Sequence, residues 1–493
     1  MRKPERALGA AALALLLAGC NLAPTYHVPT VPVPTRYHAS APWQPAQPAA
    51  PLPREAWWSI YHDATLDRLE RQLLAGNTDL AIALAHYQQA RAYAYQARSE
   101  LFPQLGANLN AQRDRQSDTK PLRGPLTGPN ASPKTYNSFT AATDASYELD
   151  LWGRVRNSVE AGKDSAQAAA ADLAGAQLSL EAQLADTYVQ LRGLDRQIEL
   201  LAQNQRAYQK ALELTRHLQA GGIVSGLDVA RAQAQLSSAR SQSAQADAQR
   251  ALLQDAIAVL AGQSASAFAL APDTQPLKVP AIPVSVPSTL LQRRPDIAAA
   301  ERRTAAANAQ IGIARAAYFP SISLSAQGGF QSRVYPDLLS APNHFWALGP
   351  NLLETLFDGG YRKAQVQAVR AASDAAGATY RGVVLNAFAQ VEDALAQLDQ
   401  LGAAQDDQQT AARAAQQALR LSMVQYQAGA TSYLDVTSAQ TTALAAQLGL
   451  LQIQTQRLRA SVALVRALGG GWSRAELPGS LHGMDSAPAD KTR

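Results

Sequence analysis

The sequence predicts an α+β membrane protein: each chain supplies four transmembrane β-strands and long coiled-coil helices, laid out as two internal repeats. Three observations carry this. Distinctive segments occur twice along the chain, which marks a duplicated unit. Four stretches alternate polar and apolar side chains with a period of two, the mark of a half-buried sheet. Long proline-free stretches place apolar residues seven apart, the mark of coiled-coil packing. Composition agrees: 47% of the 493 residues are hydrophobic but only 6% are aromatic. The apolar content is therefore mostly Ala, Leu and Val, which suits closely packed helices better than a bulky globular core.

The chain opens on an address. Arg2, Lys3 and Arg6 precede the apolar run Ala10–Ala18, too short to cross a bilayer as a mature helix, so residues 1–19 read as a signal peptide. The run ends in Leu17-Ala18-Gly19-Cys20, and Cys20 is the only cysteine. This stretch resembles the bacterial lipobox, in which the cysteine becomes the first mature residue and carries palmitate and other acyl chains. Asn21 follows rather than Asp, which by the sorting rule for such lipoproteins directs the chain to the outer membrane. Residues 20–56 are rich in proline and read as an extended tether.

Residues 57–271 and 290–472 form the two repeats, joined by a linker at 272–289 and followed by a tail at 473–493. Ala97-Arg98-Ser99-Glu100-Leu101-Phe102-Pro103 in the first is echoed by Ala314-Arg315-Ala316-Ala317-Tyr318-Phe319-Pro320 in the second. Gln219-Ala220-Gly221-Gly222 through Leu227-Asp228-Val229 is echoed by Gln427-Ala428-Gly429 through Leu434-Asp435-Val436, with one residue fewer before the second Leu-Asp-Val. Each repeat reads as helix, two strands, very long helix, tight turn, long helix.

The first strand is expected over Leu105–Gln112, with Leu105, Ala107, Leu109 and Ala111 opposite Asn108, Asn110 and Gln112. The second covers Phe139–Asp150, the third starts at Ser321 and Ile322, and the fourth lies around His344–Leu356, where Pro350 interrupts the alternation. About ten residues is the length of a tilted membrane strand. Four strands cannot close a barrel and lipid does not tolerate an open sheet edge, so several chains must share one barrel; two or three copies both remain open. Arg154–Ala220 lacks proline and would extend about 100 Å. Leu184, Leu191, Ile198 and Leu212 recur in its heptads, as Val391, Leu398, Ala412, Leu419 and Tyr426 do in the second repeat.

Chemistry is conspicuous by what is excluded. One cysteine rules out a disulfide framework and cysteine-rich zinc sites, and the seven histidines show no metal-binding spacing. No phosphate loop and no acid–base–nucleophile set is found, so no enzyme, metal or cofactor is expected. The net charge of +5 is scattered, which excludes a nucleic-acid partner.

The stretch Leu290-Leu291-Gln292-Arg293-Arg294-Pro295-Asp296-Ile297-Ala298-Ala299-Ala300-Glu301, with Phe319-Pro320-Ser321-Ile322, Leu348-Gly349-Pro350 and Leu356-Phe357-Asp358-Gly359-Gly360, resembles the TolC-like outer-membrane efflux proteins, in particular their lipoprotein (NodT/OprM-like) branch. The resemblance runs from about Trp57 to Trp472. It departs at Thr355, where many relatives have proline, and at Tyr361, where arginine is frequent. It implies a homotrimer with a shared twelve-stranded barrel, a helical barrel in the periplasm, and partnership with a periplasmic adaptor (membrane fusion) protein and an inner-membrane transporter: an exit duct for drugs or other small toxic compounds. Pro295 with Asp296 and Glu301 reads as a helix start, not an active site.

The two turns are the candidate gate. Gly221 and Gly429 are expected to end the incoming helices, and Ser225…Asp228 and Ser432…Asp435 have capping-box spacing. By resemblance the turns are the periplasmic tips: Asp228 would accept a hydrogen bond from Tyr426, and Asp435, repeated by symmetry, would form a carboxylate ring. Ser438 and Thr431 stand where a relative has a second ring acid and a locking arginine. Two other functions compete. A lipid-anchored structural coil would not need amphipathic strands, and an adaptor would have one helical hairpin rather than two.

Overall fold

A computed structural model describes residues 21–38, 56–115, 135–282 and 287–479. Cys20, the signal peptide and residues 39–55 of the tether lie outside the described residues. Each repeat has the expected order. In the first, α1 (Ala64–Gly76) and α2 (Thr78–Ser99) lead into β1 (Gln104–Arg115) and β2 (Thr135–Glu148), then α3 (Arg154–Ala220) and α4 (Gly226–Leu260). In the second, one helical turn at Leu290–Arg293 precedes α5 (Pro295–Ala316), β3 (Ser321–Ser332), β4 (His344–Leu353), α6 (Tyr361–Gln427) and α7 (Tyr433–Ala467). The long helices α3 and α6 are each 67 residues, and α4 and α7 are each 35.

The duplication is more regular than the sequence reading allowed. From 154 and 361 onward the paired helices keep one constant offset, with no residue missing in the second turn. Gly222, not Gly221, therefore corresponds to Gly429. Gly222 (φ 73°) and Gly429 (φ 71°) are the left-handed residues that end the helices, whereas Gly221 has an ordinary helical φ of −79°. A side chain at either left-handed position would be strained. The pairing of Gly221 with Gly429 followed the shared Gln-Ala-Gly letters; backbone geometry selects the next residue.

The strands form one antiparallel meander in the order β1-β2-β3-β4, so among the described residues the outer edges of β1 and β4 are unpaired. Cross-strand partners share a face, and the register Leu109↔Ala141↔Phe330↔His344 fixes which. One face carries Leu105, Leu109, Phe139, Leu324, Phe330, Trp346, Leu348 and Leu352; the other carries Asn108, Asn110, Thr140, Asp144, Ser323, Ser325, Gln327 and Asn351. Leu105 and Leu109 are 82% and 84% exposed, so these positions of the apolar face have no cover among the described residues. Pro350 is tolerated because β4 is an edge strand.

The helices pack lengthwise, α3 against α2, α4, α5 and α7, and α6 against α5 and α7. The main core lies in mid-body, where Trp57, Leu66, Leu69 and Leu73 meet Leu184, Leu191, Val391, Leu395 and Val465. Each such side chain contributes about 1.5–3 kcal/mol on burial. Nearer the strands contact is Ala on Ala, with Ala171 against Ala298 and Ala299. The end of the first repeat and the described part of the linker are docked: Phe268 and Leu270 of the one and Ile282 of the other are buried in the main core. Arg192 donates to the carbonyls of Asp273 and Gln275, and Arg250 to that of Leu270. Among the described residues, no helix is long and apolar enough to cross a membrane.

Candidate functional site at the hairpin tips and the strand bases

Both hairpin turns lie at one end of the helical body, closed by their own small core. Tyr208 and Leu212 of α3, Leu236 of α4, Tyr426 of α6, and Tyr433 and Val436 of α7 are all buried there. The rings of Tyr426 and Tyr433 lie 5.3 Å apart at 59°. Burial, followed by the neighbouring Tyr426, pushes the Tyr433 hydroxyl up to about 12. Tyr208 donates to the carbonyl of Gln440 at 3.5 Å.

The two aspartates behave differently. Asp435 completes a capping box: its Oδ2 accepts from the Ser432 amide at 3.2 Å and the Ser432 hydroxyl at 2.7 Å. Thr431 adds a third donor at 2.6 Å. These bonds, with Thr431 first, hold the exposed Asp435 below the usual carboxylate range. At the first turn Asp228 takes only long contacts, 3.4 Å from the Ser225 hydroxyl and 3.5 Å from Arg231, and no capping box forms. The expected Tyr426–Asp228 bond is not made. The Tyr426 hydroxyl is buried without a hydrogen-bond partner among the described residues, and its ring packs beside that of Tyr433. Tyr433 escaped notice in the sequence; the signal was the break in the duplication, where Gly226 stands in the corresponding place.

The opposite end of the helices carries the second site. Residues 21–38 run as a strap along α5 and then α6. Asn21 accepts from Asn157 at 2.9 Å, Leu22 O from Arg315 at 3.0 Å, and Pro24 O from Asn308 at 2.8 Å. Gly312 makes this possible, since a Cβ there would collide with Asn157 and Ala23. Further along, Tyr26 donates to Glu301 at 2.8 Å, and the amide of His38 donates to Glu392 at 3.0 Å. Glu301, 2% exposed, also accepts from Arg302 at 2.7 and 2.5 Å and from Arg474 of the C-terminal segment at 2.9 Å. Arg302 in turn bonds Asp164 of α3 at 3.0 Å. Burial alone would raise the Glu301 carboxyl, but the Arg302 and Tyr26 bonds outweigh it and hold it low. Asp164 is pushed up to about 6, by burial against the pull of Arg302.

The motif around Pro295 is thus structural, as expected. Pro295 is the first residue of α5, and Arg294 clamps Asp296 at 2.6 Å while bonding Gln390 and the carbonyl of Ala467. A third network, missed in the sequence, pins α1 to α3: Asp63 caps α1 through the amides of Thr65 and Leu66 and accepts from Tyr188 and Arg192. No group of metal-binding side chains occurs among the described residues.

A family model described as outer membrane efflux protein matches residues 69–263 and 286–470. The outer membrane protein OprJ of Pseudomonas aeruginosa is 32% identical over 474 residues, covering 96% of this chain and 97% of that protein. The pyoverdine export outer membrane protein OpmQ of the same species is 34% identical over 84% of this chain and 87% of its own length. Among solved structures, the outer-membrane channel OprN superposes with a TM-score of 0.84 at 31% identity, over 92% of this chain and all of that one. The Campylobacter jejuni CmeC outer membrane channel gives 0.86 at 23% identity, over 93% and 96%, a likeness of fold. With a two-faced strand meander at one end of its paired long helices and closed hairpin turns at the other, the chain belongs to the outer membrane efflux protein family, whose members are transport ducts rather than enzymes.

Proposed function

We propose that three copies of this chain close one twelve-stranded barrel in the outer membrane, continue it as a helical barrel through the periplasm, and form the passive exit duct of a tripartite efflux system. The observation that carries this is the four-stranded meander, apolar on one face and polar on the other, with both edges open. In lipid each edge needs a partner, and a neighbouring chain supplies it. The tips meet a periplasmic adaptor, which couples the duct to an inner-membrane transporter. The cargo is drugs or other small toxic compounds, in keeping with relatives such as the toluene efflux pump outer membrane protein TtgC of Pseudomonas putida.

In this reading Cys20 carries the lipid. Asn21 is held at Asn157 and Arg315 fixes Leu22, a turn or two of helix from the first residues of α3 and the start of β3. The strap therefore holds Asn21, the residue that follows Cys20 in sequence, at the level where helices give way to strands. Acyl chains there anchor by about 0.8 kcal/mol per buried CH₂. Cys20→Ser is expected to abolish uptake of labelled palmitate; normal labelling would remove the lipid anchor from the account.

The gate is assigned to the tips. Asp435, repeated threefold, rings the entrance with carboxylates and draws cations to it. Tyr426, Tyr433 and Tyr208 fill the hairpins behind it, and Asp228 flanks them from the first turn. Because the Tyr426 hydroxyl has no partner among the described residues, Tyr426→Phe leaves the packing of one chain intact. A rise in resting conductance of this variant in planar bilayers therefore reports contact between hairpins of neighbouring chains. Asp435→Ala is expected to lower cation selectivity. Variants that fold and conduct like the parent would reduce both residues to packing and capping roles.

A further inference from the structure

The strands separate their charges by sign, and the separation points to a lipid partner. In the register of the sheet every strand carboxylate, Asp114, Asp144 and Glu148, shares the polar face with Asn108 and Asn110. Arg113 and Arg115 lie on the other face. Along β1 that face reads Leu105, Ala107, Leu109, Ala111, Arg113, Arg115. The apolar stretch thus ends in two exposed arginines at the end of the strand remote from the helices. At about 3.4 Å per residue, Arg113 lies some 27 Å along the strand from Leu105, close to the length of about 9–11 residues over which a tilted strand crosses the hydrocarbon. Just inside this level an aromatic band marks the boundary. Phe139, opposite Ala111, packs edge-on against Tyr335 at 5.7 Å, and Phe330 packs on His344 at 6.1 Å.

The arginines at the near end of the strands are already used. Arg154 pairs with Glu148 and Glu100, Arg156 with Asp150, and Arg362 with Asp358 and Glu354. No described strand carboxylate shares the face of Arg113 and Arg115, since the intervening Asp114 points to the other face and accepts from Gln112 at 3.0 Å. Two guanidinium groups two residues apart on one strand face are about 7 Å apart at their bases, a spacing that lets both reach one phosphate.

We propose that Arg113 and Arg115 form a clamp for the phosphate of lipid headgroups in the leaflet remote from the helical body. The inference rests on the membrane-barrel reading. Basic side chains at the aqueous edge of an apolar face bind anionic headgroups through charge-assisted hydrogen bonds, while the adjoining apolar face takes the acyl chains.

The test is native mass spectrometry of the full-length protein in mild detergent, offered phosphatidic acid or zwitterionic phosphatidylcholine. The parent is expected to retain several-fold more phosphatidic acid. Arg113→Gln with Arg115→Gln is expected to fall to the phosphatidylcholine level, and the double lysine variant to keep most of the preference. Equal retention of the two lipids by the parent, or full preference in the glutamine variant, would overturn the clamp. Equal binding of glycerol 3-phosphate, which has the headgroup without the chains, would overturn the lipid as its occupant. The same spectrum reads the oligomer mass, so a failure of the shared barrel is seen separately from a failure of lipid retention.

Discussion

Glu301→Ala is expected to destabilise the folded chain by about 3 kcal/mol and to release both terminal segments from α5. Removing one partner of a buried ion pair leaves the other charge desolvated, a loss of about 3–5 kcal/mol. Here the value falls at the low end because Arg302 keeps Asp164 and Arg474 is 42% exposed at its side chain. The release is local and readable. Tyr26 holds the strap to Glu301 and Arg474 holds the C-terminal segment to the same carboxylate. Trypsin should therefore cut at Arg36 several-fold faster in the variant, and the melting temperature should fall. Tyr26→Phe should speed cleavage with a smaller thermal loss, since it removes one hydrogen bond and leaves the ion pairs. Unchanged cleavage and melting in Glu301→Ala would show that the clasp does not hold the strap.

Glu70→Gln is expected to act in the opposite direction. Glu70 is fully buried in α1, and neither carboxyl oxygen has a hydrogen-bond partner. Burial, then Glu181 and Asp67, pushes its carboxyl up to about 10. The folded chain thus holds a proton that the unfolded chain releases near pH 4.5. Stability is fullest below that value and declines by about 1.4 kcal/mol per pH unit until the folded carboxyl ionises near pH 10. Glutamine keeps the shape of the protonated acid and cannot ionise. The variant should gain up to about 4 kcal/mol at pH 7.5, gain nothing at pH 4, and show a flatter profile between. Thermal unfolding of parent and variant across that range checks it; parallel profiles would mean that Glu70 ionises normally in the folded chain.

Much of this architecture was legible because it is periodic. The two-residue alternation around Leu105–Gln112 located β1 and its faces, and the seven-residue spacing of Leu184, Leu191 and Leu212 located the buried seam of α3. Pro295 marked the start of α5. What escaped was aperiodic or distant in sequence. Arg192 and Asp63 lie far apart in the chain, and nothing local in a helix of Ala and Gln announces that one arginine will be buried against a linker and a cap. Glu301 sat inside a recognised motif, yet two of its partners, Tyr26 and Arg474, come from segments distant in sequence that the fold lays against α5. At the tips, the letters Gln-Ala-Gly suggested a pairing that the backbone shifts by one residue. The Tyr426–Asp228 bond is not made: the Tyr426 ring packs at a tilt beside Tyr433 in the apolar layer, and its hydroxyl is buried without a partner among the described residues.

The most direct test of the central claim is the mass of the native particle in mild detergent, measured by light scattering on the sample whose bilayer conductance is recorded. Four strands with two open edges per chain call for a conducting particle of three chains. A monodisperse monomer that still conducts would contradict the shared barrel, because one chain would then close a pore that its four strands cannot span.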